Sequence, residues 1–286
     1  MSGYKTFAVV GAGLIGGVLT DELLKAKSAG VIDKVVVLTR PGSVDKLDAY
    51  AARGASIVAV EDYSSVPDVT KALAGIDVVI STLAHNALDL QLPIAEAAKA
   101  ADVQLFVPSE YGLSTDGHTE GALARKAAID AQIRASGLAT TRFFIGMFAD
   151  TTWHPLFDLD LKSGSGSIGG DGTAEISFTS CEDISRFVVH ALTNLPREEV
   201  KNRTFRIEAE RTSLNDIFAA YEKKHDVKLK VTYISIDELK EKIAKNPHDF
   251  VSFLHLAWAT GVGTVGSPLD NDVFPDWHPK PVLHYL

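Results

Sequence analysis

Six short, mostly apolar runs punctuate the first half of the chain: Thr6 to Val10, Lys34 to Thr39, Ser56 to Val60, Asp77 to Thr82, Val103 to Val107 and Thr140 to Ile145. Stretches such as Val35-Val36-Val37-Leu38 and Val78-Val79-Ile80 are apolar without alternation, as a strand covered on both faces requires. Longer segments with helical patterns separate the runs. That rhythm predicts an α/β fold, a doubly wound parallel sheet with crossover helices. At 286 residues, 46% hydrophobic and 23% charged, the chain can bury one large core with an appendage and does not have the composition of a disordered tail.

After about residue 150 the rhythm changes. Trp153-His154-Pro155 breaks it, and Ser163-Gly164-Ser165-Gly166-Ser167 with Gly169-Gly170 predicts a small-residue loop, a boundary or flap, ahead of the alternating Thr173 to Phe178. A helix is expected to start near Glu182-Asp183, where carboxylates favour its positive end. A strand at Thr204 to Ala209, a helix from Ser213 to about Lys224 and a strand at Lys228 to Ile234 follow, then helices at Asp237 to Lys245 and His248 to Ala259.

Gly11-Ala12-Gly13-Leu14-Ile15-Gly16 comes directly after the first run and opens a helical pattern. In that context a G-x-G-x-x-G motif is a dinucleotide cradle. The first glycine makes the tight turn, the second lets backbone approach the pyrophosphate, and the third lets the helix pack on the sheet. The second run ends Leu38-Thr39-Arg40, where an NAD site carries an acid. A guanidinium there, with Lys46 beyond it, suits a 2′-phosphate, so the expected cofactor is NADP(H). The plainer alternative for Arg40 is a solvated loop residue.

Ligands of open α/β sheets sit beyond the carboxyl ends of the strands. Those ends read Ser81-Thr82-Leu83-Ala84-His85, Pro108-Ser109-Glu110-Tyr111-Gly112 and Gly146-Met147-Phe148. The Ala-rich helix from Ala122 to Ala135 carries Lys126, a candidate to hold a nicotinamide ribose and relay a proton. Local sequence alone favours a solvated helix lysine over that role. Tyr111 is a candidate phenolic donor or a packed aromatic. With fourteen residues between them, Tyr111 and Lys126 do not make a Y-x-x-x-K pair.

Together, Gly11 to Gly16, Val107-Pro108-Ser109-Glu110-Tyr111-Gly112, Lys126 followed by Ile129 and Gly137-Leu138, and Phe143-Phe144-Ile145-Gly146-Met147-Phe148 resemble the NmrA-like, isoflavone-reductase-like branch of atypical short-chain dehydrogenases. Gly170-Asp171-Gly172 and Glu182-Asp183-Ile184 extend the resemblance, which covers residues 5 to 195 well and the C-terminal third loosely. It implies a Rossmann-type NADP-binding domain over residues 1–150, to which 170–196 returns, and a smaller substrate-binding domain over most of 151–286. It also implies that Lys126 serves nicotinamide binding and proton transfer. Ser81, Thr82, Leu83 and Ser109 would border the nicotinamide half with Phe144 behind it, and His85, Met147, Phe148, Trp153 and His154 would face substrate. The chain departs from plant members at Asp130, where they often carry Arg, and in a shorter loop from Leu113 to Ala124.

The implied activity is an NADPH-dependent reductase of a small, aromatic or phenylpropanoid-like substrate, reduced at a carbonyl, benzylic or conjugated carbon. The alternative is a non-catalytic NADP-binding regulator, also represented in that family. A formal charge of -9 argues against nucleic acid as a main ligand, and one cysteine, Cys181, excludes an intramolecular disulfide. His248 and His255 have no third ligand suggested, so no metal is expected. Neither a signal peptide nor a membrane span is evident. The expectation is a cytoplasmic monomer or homodimer with a small-molecule partner.

Overall fold

The computed structural model describes residues 3–286; residues 1 and 2 of the expected first domain lie outside the described residues. The chain divides into two compact units. The first comprises residues 3–110, Thr115–Phe143 and Ile184–Phe205, and the second Tyr111–Ser114, Phe144–Asp183 and Arg206–Leu286.

The first unit begins β1 (Thr6–Val10), α1 (Leu14–Ser28), β2 (Lys34–Thr39), α2 (Asp48–Ala52), β3 (Ser56–Ala59), α3 (Val66–Ala72), β4 (Val78–Ser81), α4 (Gln91–Ala100), β5 (Leu105–Val107) and α5 (Gly121–Ala135). All five strands pair in parallel in the order β3-β2-β1-β4-β5. Val9 lies opposite Val37 on one side and Ile80 on the other. Valine, isoleucine and leucine fill both faces because helices cover both, and Val35 to Leu38 are at most 2% exposed. Each such side chain contributes roughly 2 kcal/mol on burial. The order turns back between β1 and β4, so the crevice beyond their carboxyl ends is the switch point where a doubly wound sheet takes its ligand.

Of the six predicted strands, Thr6–Val10 and Lys34–Thr39 match and the other four have shorter ends, the sixth, Arg142–Phe144, lying outside the five-stranded sheet. Val103 is not in β5, because Asp102 takes a left-handed turn at φ 59 and the Val103 N–H closes back onto the Ala98 carbonyl at 3.0 Å. β6 (Arg142–Phe144) then leads to β7 (Met147–Phe148), β8 (Leu159–Asp160), β9 (Ser165–Gly169) and β10 (Glu175–Thr179). Next come α6 (Cys181–Asn194), α7 (Arg197–Val200), β11 (Thr204–Arg206), β12 (Glu210–Ser213), α8 (Leu214–His225), β13 (Lys230–Ile234), α9 (Ile236–Lys245) and α10 (Phe250–Ala259). α6 starts where its acids predicted. The Ser180 hydroxyl accepts from the Asp183 N–H (3.1 Å) and donates to the Asp183 carboxylate (2.8 Å), tying off the first turn.

Two expectations in the second unit are corrected. The small-residue segment is not a loop, since Ser165–Gly169 forms β9, the middle of a three-stranded sheet in the order β13-β9-β8. A Cβ on Gly166 would stand 3.5 Å from Phe218 and 3.6 Å from Leu159, and one on Gly169 would fall on the His255 carbonyl. These glycines bring neighbours close to a strand. The run from Thr204 to Ala209 is also not one strand, because the chain changes partner. The Ile207 N–H donates to Phe144 (3.0 Å) and the Ala209 N–H to Phe178 (2.8 Å), and β12 then pairs antiparallel with β10.

Candidate active site

Two features of the turn after β1 leave room for a phosphate. Gly11 has φ 92, a conformation that a β-carbon strains. A Cβ on Gly16 would collide with the Gly11 carbonyl and the Thr82 hydroxyl, whereas a Cβ on Gly13 would meet nothing within 4 Å. One side of the turn is closed and the other open. Thr82 holds the closed side, its hydroxyl donating to the Gly11 carbonyl at 2.6 Å. Gly13 is the N-cap of α1, with no side-chain cap and no acid in the first turn, so the N–H groups over Leu14, Ile15 and Gly16 face outward with the helix dipole behind them. That arrangement fits a pyrophosphate.

At the end of β2, Thr39 is buried and Arg40 exposed, followed by a 3-10 turn carrying the exposed Lys46. Among the described residues neither Arg40 nor Lys46 enters an ion pair. A cation, Arg40, stands directly after β2 where an NAD site carries an acid, with Lys46 on the turn beyond, which fits a 2′-phosphate.

The ends of β4 and β5 are tied together. The Ser81 and Ser109 hydroxyls are 3.0 Å apart, Ser109 Oγ accepts from the Leu83 N–H (2.8 Å), and the Ser109 N–H donates to Gln91 Oε1 (2.8 Å). Gln91, unremarked in the sequence, is thus what fixes the loop from below. His85 is exposed just beyond.

The next residue is the least expected. Glu110 is 1% exposed, and neither of its carboxyl oxygens has a hydrogen-bond partner among the described residues. Burial pushes its pKa up to about 7, against the pull of Lys126 and then Arg142. Lys126 is half-buried on α5, and desolvation draws its ammonium below the usual lysine range, with Glu110 opposing. Arg142 is engaged elsewhere, 2.9 Å from Asp116 and bonded to the Thr204 hydroxyl. Asp130 is likewise satisfied, by Arg134 at 2.9 Å and the Thr140 hydroxyl at 2.6 Å. The one signal of this in the sequence is a carboxylate set in the apolar Val107 to Leu113 stretch.

The remaining candidates belong to the second unit. Tyr111 is buried with its hydroxyl unpartnered, and burial raises its pKa, holding the phenol protonated. Phe144 is fully buried with the Arg206 guanidinium over its ring at 5.5 Å. Met147 and Phe148 lie opposite Phe178 and Thr179. Trp153 donates to the Ala149 carbonyl (2.8 Å), stacks on Phe178 with centroids 5.8 Å apart, and borders a cavity of about 230 Å³ with Tyr221, His225 and Tyr285. The Nδ1 of exposed His154 accepts from the Leu156 N–H (3.0 Å), capping a short turn. Among the described residues no group of three or more His, Cys, Asp and Glu could hold a metal, and no helix is long and apolar enough to cross a membrane.

A glycine turn at the switch point of a parallel sheet, opening onto an uncapped helix, is the signature of a nucleotide-binding α/β protein. The chain belongs to the NmrA-like family, whose model matches residues 3–271. It is 29% identical over 240 residues to phenylcoumaran benzylic ether reductase PT1 of Pinus taeda, covering 80% of this chain and 76% of the relative. A crystal structure of isoflavone reductase superposes with a TM-score of 0.83 at 23% identity, over 99% of this chain and 98% of that one. The binary complex of leucoanthocyanidin reductase with NADPH from Vitis vinifera does so with a TM-score of 0.82 at 22% identity, over 98% and 97%. At these identities the structures establish a shared fold.

Proposed function

We propose that this NADP-dependent oxidoreductase reduces a small aromatic, phenylpropanoid-like substrate at a carbonyl, benzylic or conjugated carbon, with Lys126 moving the accompanying proton. The observation that carries the cofactor half is the open face of Gly13 above the uncapped α1, with Arg40 and Lys46 uncommitted at the end of β2. The substrate class rests on the kind of compound named for the relatives.

In this reading the α1 N–H groups hold the pyrophosphate, Thr39, Arg40 and Lys46 hold the 2′-phosphate, and Ser81, Thr82, Leu83 and Ser109 border the nicotinamide. When bound, the nicotinamide supplies hydride to the electrophilic carbon of the substrate. Lys126 then meets the charge that develops on substrate oxygen. A lysine whose pKa burial draws down gives up its proton more readily than a solvated one, as a general acid should. Tyr111, whose phenol burial holds protonated, is the other candidate donor. His85, Met147, Phe148, Trp153 and His154 are the proposed substrate contacts.

The test has two stages. NADPH and NADH are titrated against the protein by nicotinamide fluorescence, and NADPH oxidation is then followed with phenylpropanoid ethers, ketones and enones, in the wild type and in Lys126→Ala. Preferential NADPH binding with turnover that Lys126→Ala loses supports the reading. Binding without turnover of any compound favours the regulator, and failure to bind either nucleotide sinks both.

A further inference from the structure

We propose that a cavity of the second unit is a ligand site of its own, separate from the cofactor cleft, and that it takes a small arene carboxylate: one aromatic ring carrying an acid on a short stem. The inference goes beyond the reductase reading and does not depend on it.

The cavity has a volume of about 230 Å³, and its walls come from four stretches of chain that all belong to the second unit. Asp150 and Trp153 follow β7, Leu161 and Lys162 lie in the turn before β9, Tyr221 and His225 are on α8, and Tyr285 and Leu286 lie beyond α10. Only Trp153 is also a proposed substrate contact. Neither Lys126 nor Tyr111 lines the cavity, nor does any residue proposed to hold the cofactor. An apolar cavity of about 150 Å³ takes up benzene. The roughly 80 Å³ beyond that, two or three groups of water size at about 30 Å³ each, leaves room for a short stem and a carboxylate.

The walls are held in place by the protein itself. The Trp153 Nε1–H donates to the Ala149 carbonyl at 2.8 Å, and the ring stacks on Phe178 at 22° with centroids 5.8 Å apart. Tyr221 is buried and lies against His225 with ring centroids 4.4 Å apart. The segment that carries Tyr285 and Leu286 is tied at three points: the Trp277 Nε1–H donates to the Asp183 carbonyl (2.9 Å), the Val282 N–H to the Glu210 carboxylate (2.7 Å) and the Lys224 ammonium, from α8, to the Leu283 carbonyl (2.8 Å). Trp153, Tyr221, His225 and Tyr285 thus offer ring faces and edges to a flat ligand. Side chains already fixed lose little freedom when it binds.

The polar groups decide what the ring carries. Asp150 is engaged at the amino end of α6, its carboxylate accepting from the Cys181 N–H at 3.3 and 3.1 Å. The Tyr285 hydroxyl reaches the Asp183 carboxylate at 3.5 Å. Three lining groups remain with no hydrogen bond or ion pair among the described residues: the Lys162 ammonium, the Tyr221 hydroxyl and the His225 ring nitrogens. All three can donate, and Lys162 adds a full positive charge at the exposed side, so the group they suit is an anionic acceptor. A carboxylate is the one that fits the space left beside a ring.

The test is calorimetric, on the full-length protein without nucleotide, with 3-phenylpropanoate as the probe and its neutral counterpart 3-phenylpropanamide as the control. The acid should bind about three- to fivefold more tightly than the amide, and Lys162→Met should remove that preference while leaving the amide alone, as loss of one solvent-screened charge would. Leu286→Trp, which fills the cavity from a half-buried position, should abolish binding of both. If that variant does not fold, the Lys162→Met arm decides. Saturating NADPH should leave the affinity for the acid unchanged. A dissociation constant for the acid above about 1 mM, equal affinity for acid and amide, or binding that survives Leu286→Trp overturns the proposal. Displacement of the acid by NADPH, or by a compound the protein reduces, places it in the reductase cleft and overturns the separate site. A protein that binds no nucleotide yet holds the acid through Lys162 removes the reductase and leaves this site standing.

Discussion

Glycines crowd two places in this chain, the turn after β1 and the segment around β9, and they do opposite things there. At the turn the missing side chain leaves a hollow, because nothing of the protein lies within 4 Å of where a Cβ on Gly13 would be. In β9 the missing side chain is already occupied: a Cβ on Gly169 would land on the His255 carbonyl and 2.8 Å from Leu239. What a glycine is for is read from what stands opposite it. Space left empty at a helix N-terminus awaits an anion, and space filled by a neighbour holds a sheet to its helix.

The largest effect is expected on the filled side. Gly169→Val should destabilise the nucleotide-free protein by about 3 kcal/mol or more, since backbone on α10 must yield. A thermal melt near that of the wild type would show that the contact is soft and break the contrast. On the open side, Gly13→Ala should change stability by about 1 kcal/mol or less and weaken NADPH about 10- to 100-fold, about 1.4 to 2.7 kcal/mol. Equal loss of binding in both variants, measured by fluorescence titration at a temperature where each is folded, would erase the distinction. Arg40→Ala sharpens it by asking what the hollow is built to hold. NADPH should weaken about tenfold while NADH is unchanged, the signature of a lost charge-assisted bond to the 2′-phosphate. Lys46→Ala should do the same by roughly two- to fivefold, as an exposed ammonium screened by solvent would. Loss of both nucleotides alike in either variant would move these cations from the phosphate to the scaffold.

Much of the first unit was legible. Runs that are apolar on both faces have little choice but a covered parallel strand, so β1 to β5 and α5 stand where the pattern put them, with ends displaced by a residue or two where a turn such as Asp102 closes. The cradle was legible because Gly11, Gly13 and Gly16 are neighbours in sequence as well as in space. What failed depended on partners far along the chain. Nothing near Gly166 announces Phe218 or the pairing with β13, so a strand reads as a loop. Nothing in Thr204 to Ala209 records that the strand exchanges one neighbour for another halfway. Glu110 sits in plain view in its motif, yet nothing in that motif records how deeply the folded chain buries it. Lys126 stood out only through family resemblance, because on local evidence it is one more lysine on an alanine-rich helix.

The first unit is not a continuous piece of chain. Its opening and middle segments are both held by its closing one: the Tyr4 N–H donates to the Leu192 carbonyl at 2.9 Å, and Phe143 stacks on Phe205 with ring centroids 5.1 Å apart. During synthesis the whole Phe144–Asp183 excursion of the second unit therefore leaves the ribosome before the segment that completes the first. Until Ile184–Phe205 has emerged, the first unit lacks the segment on which Tyr4 and Phe143 rest.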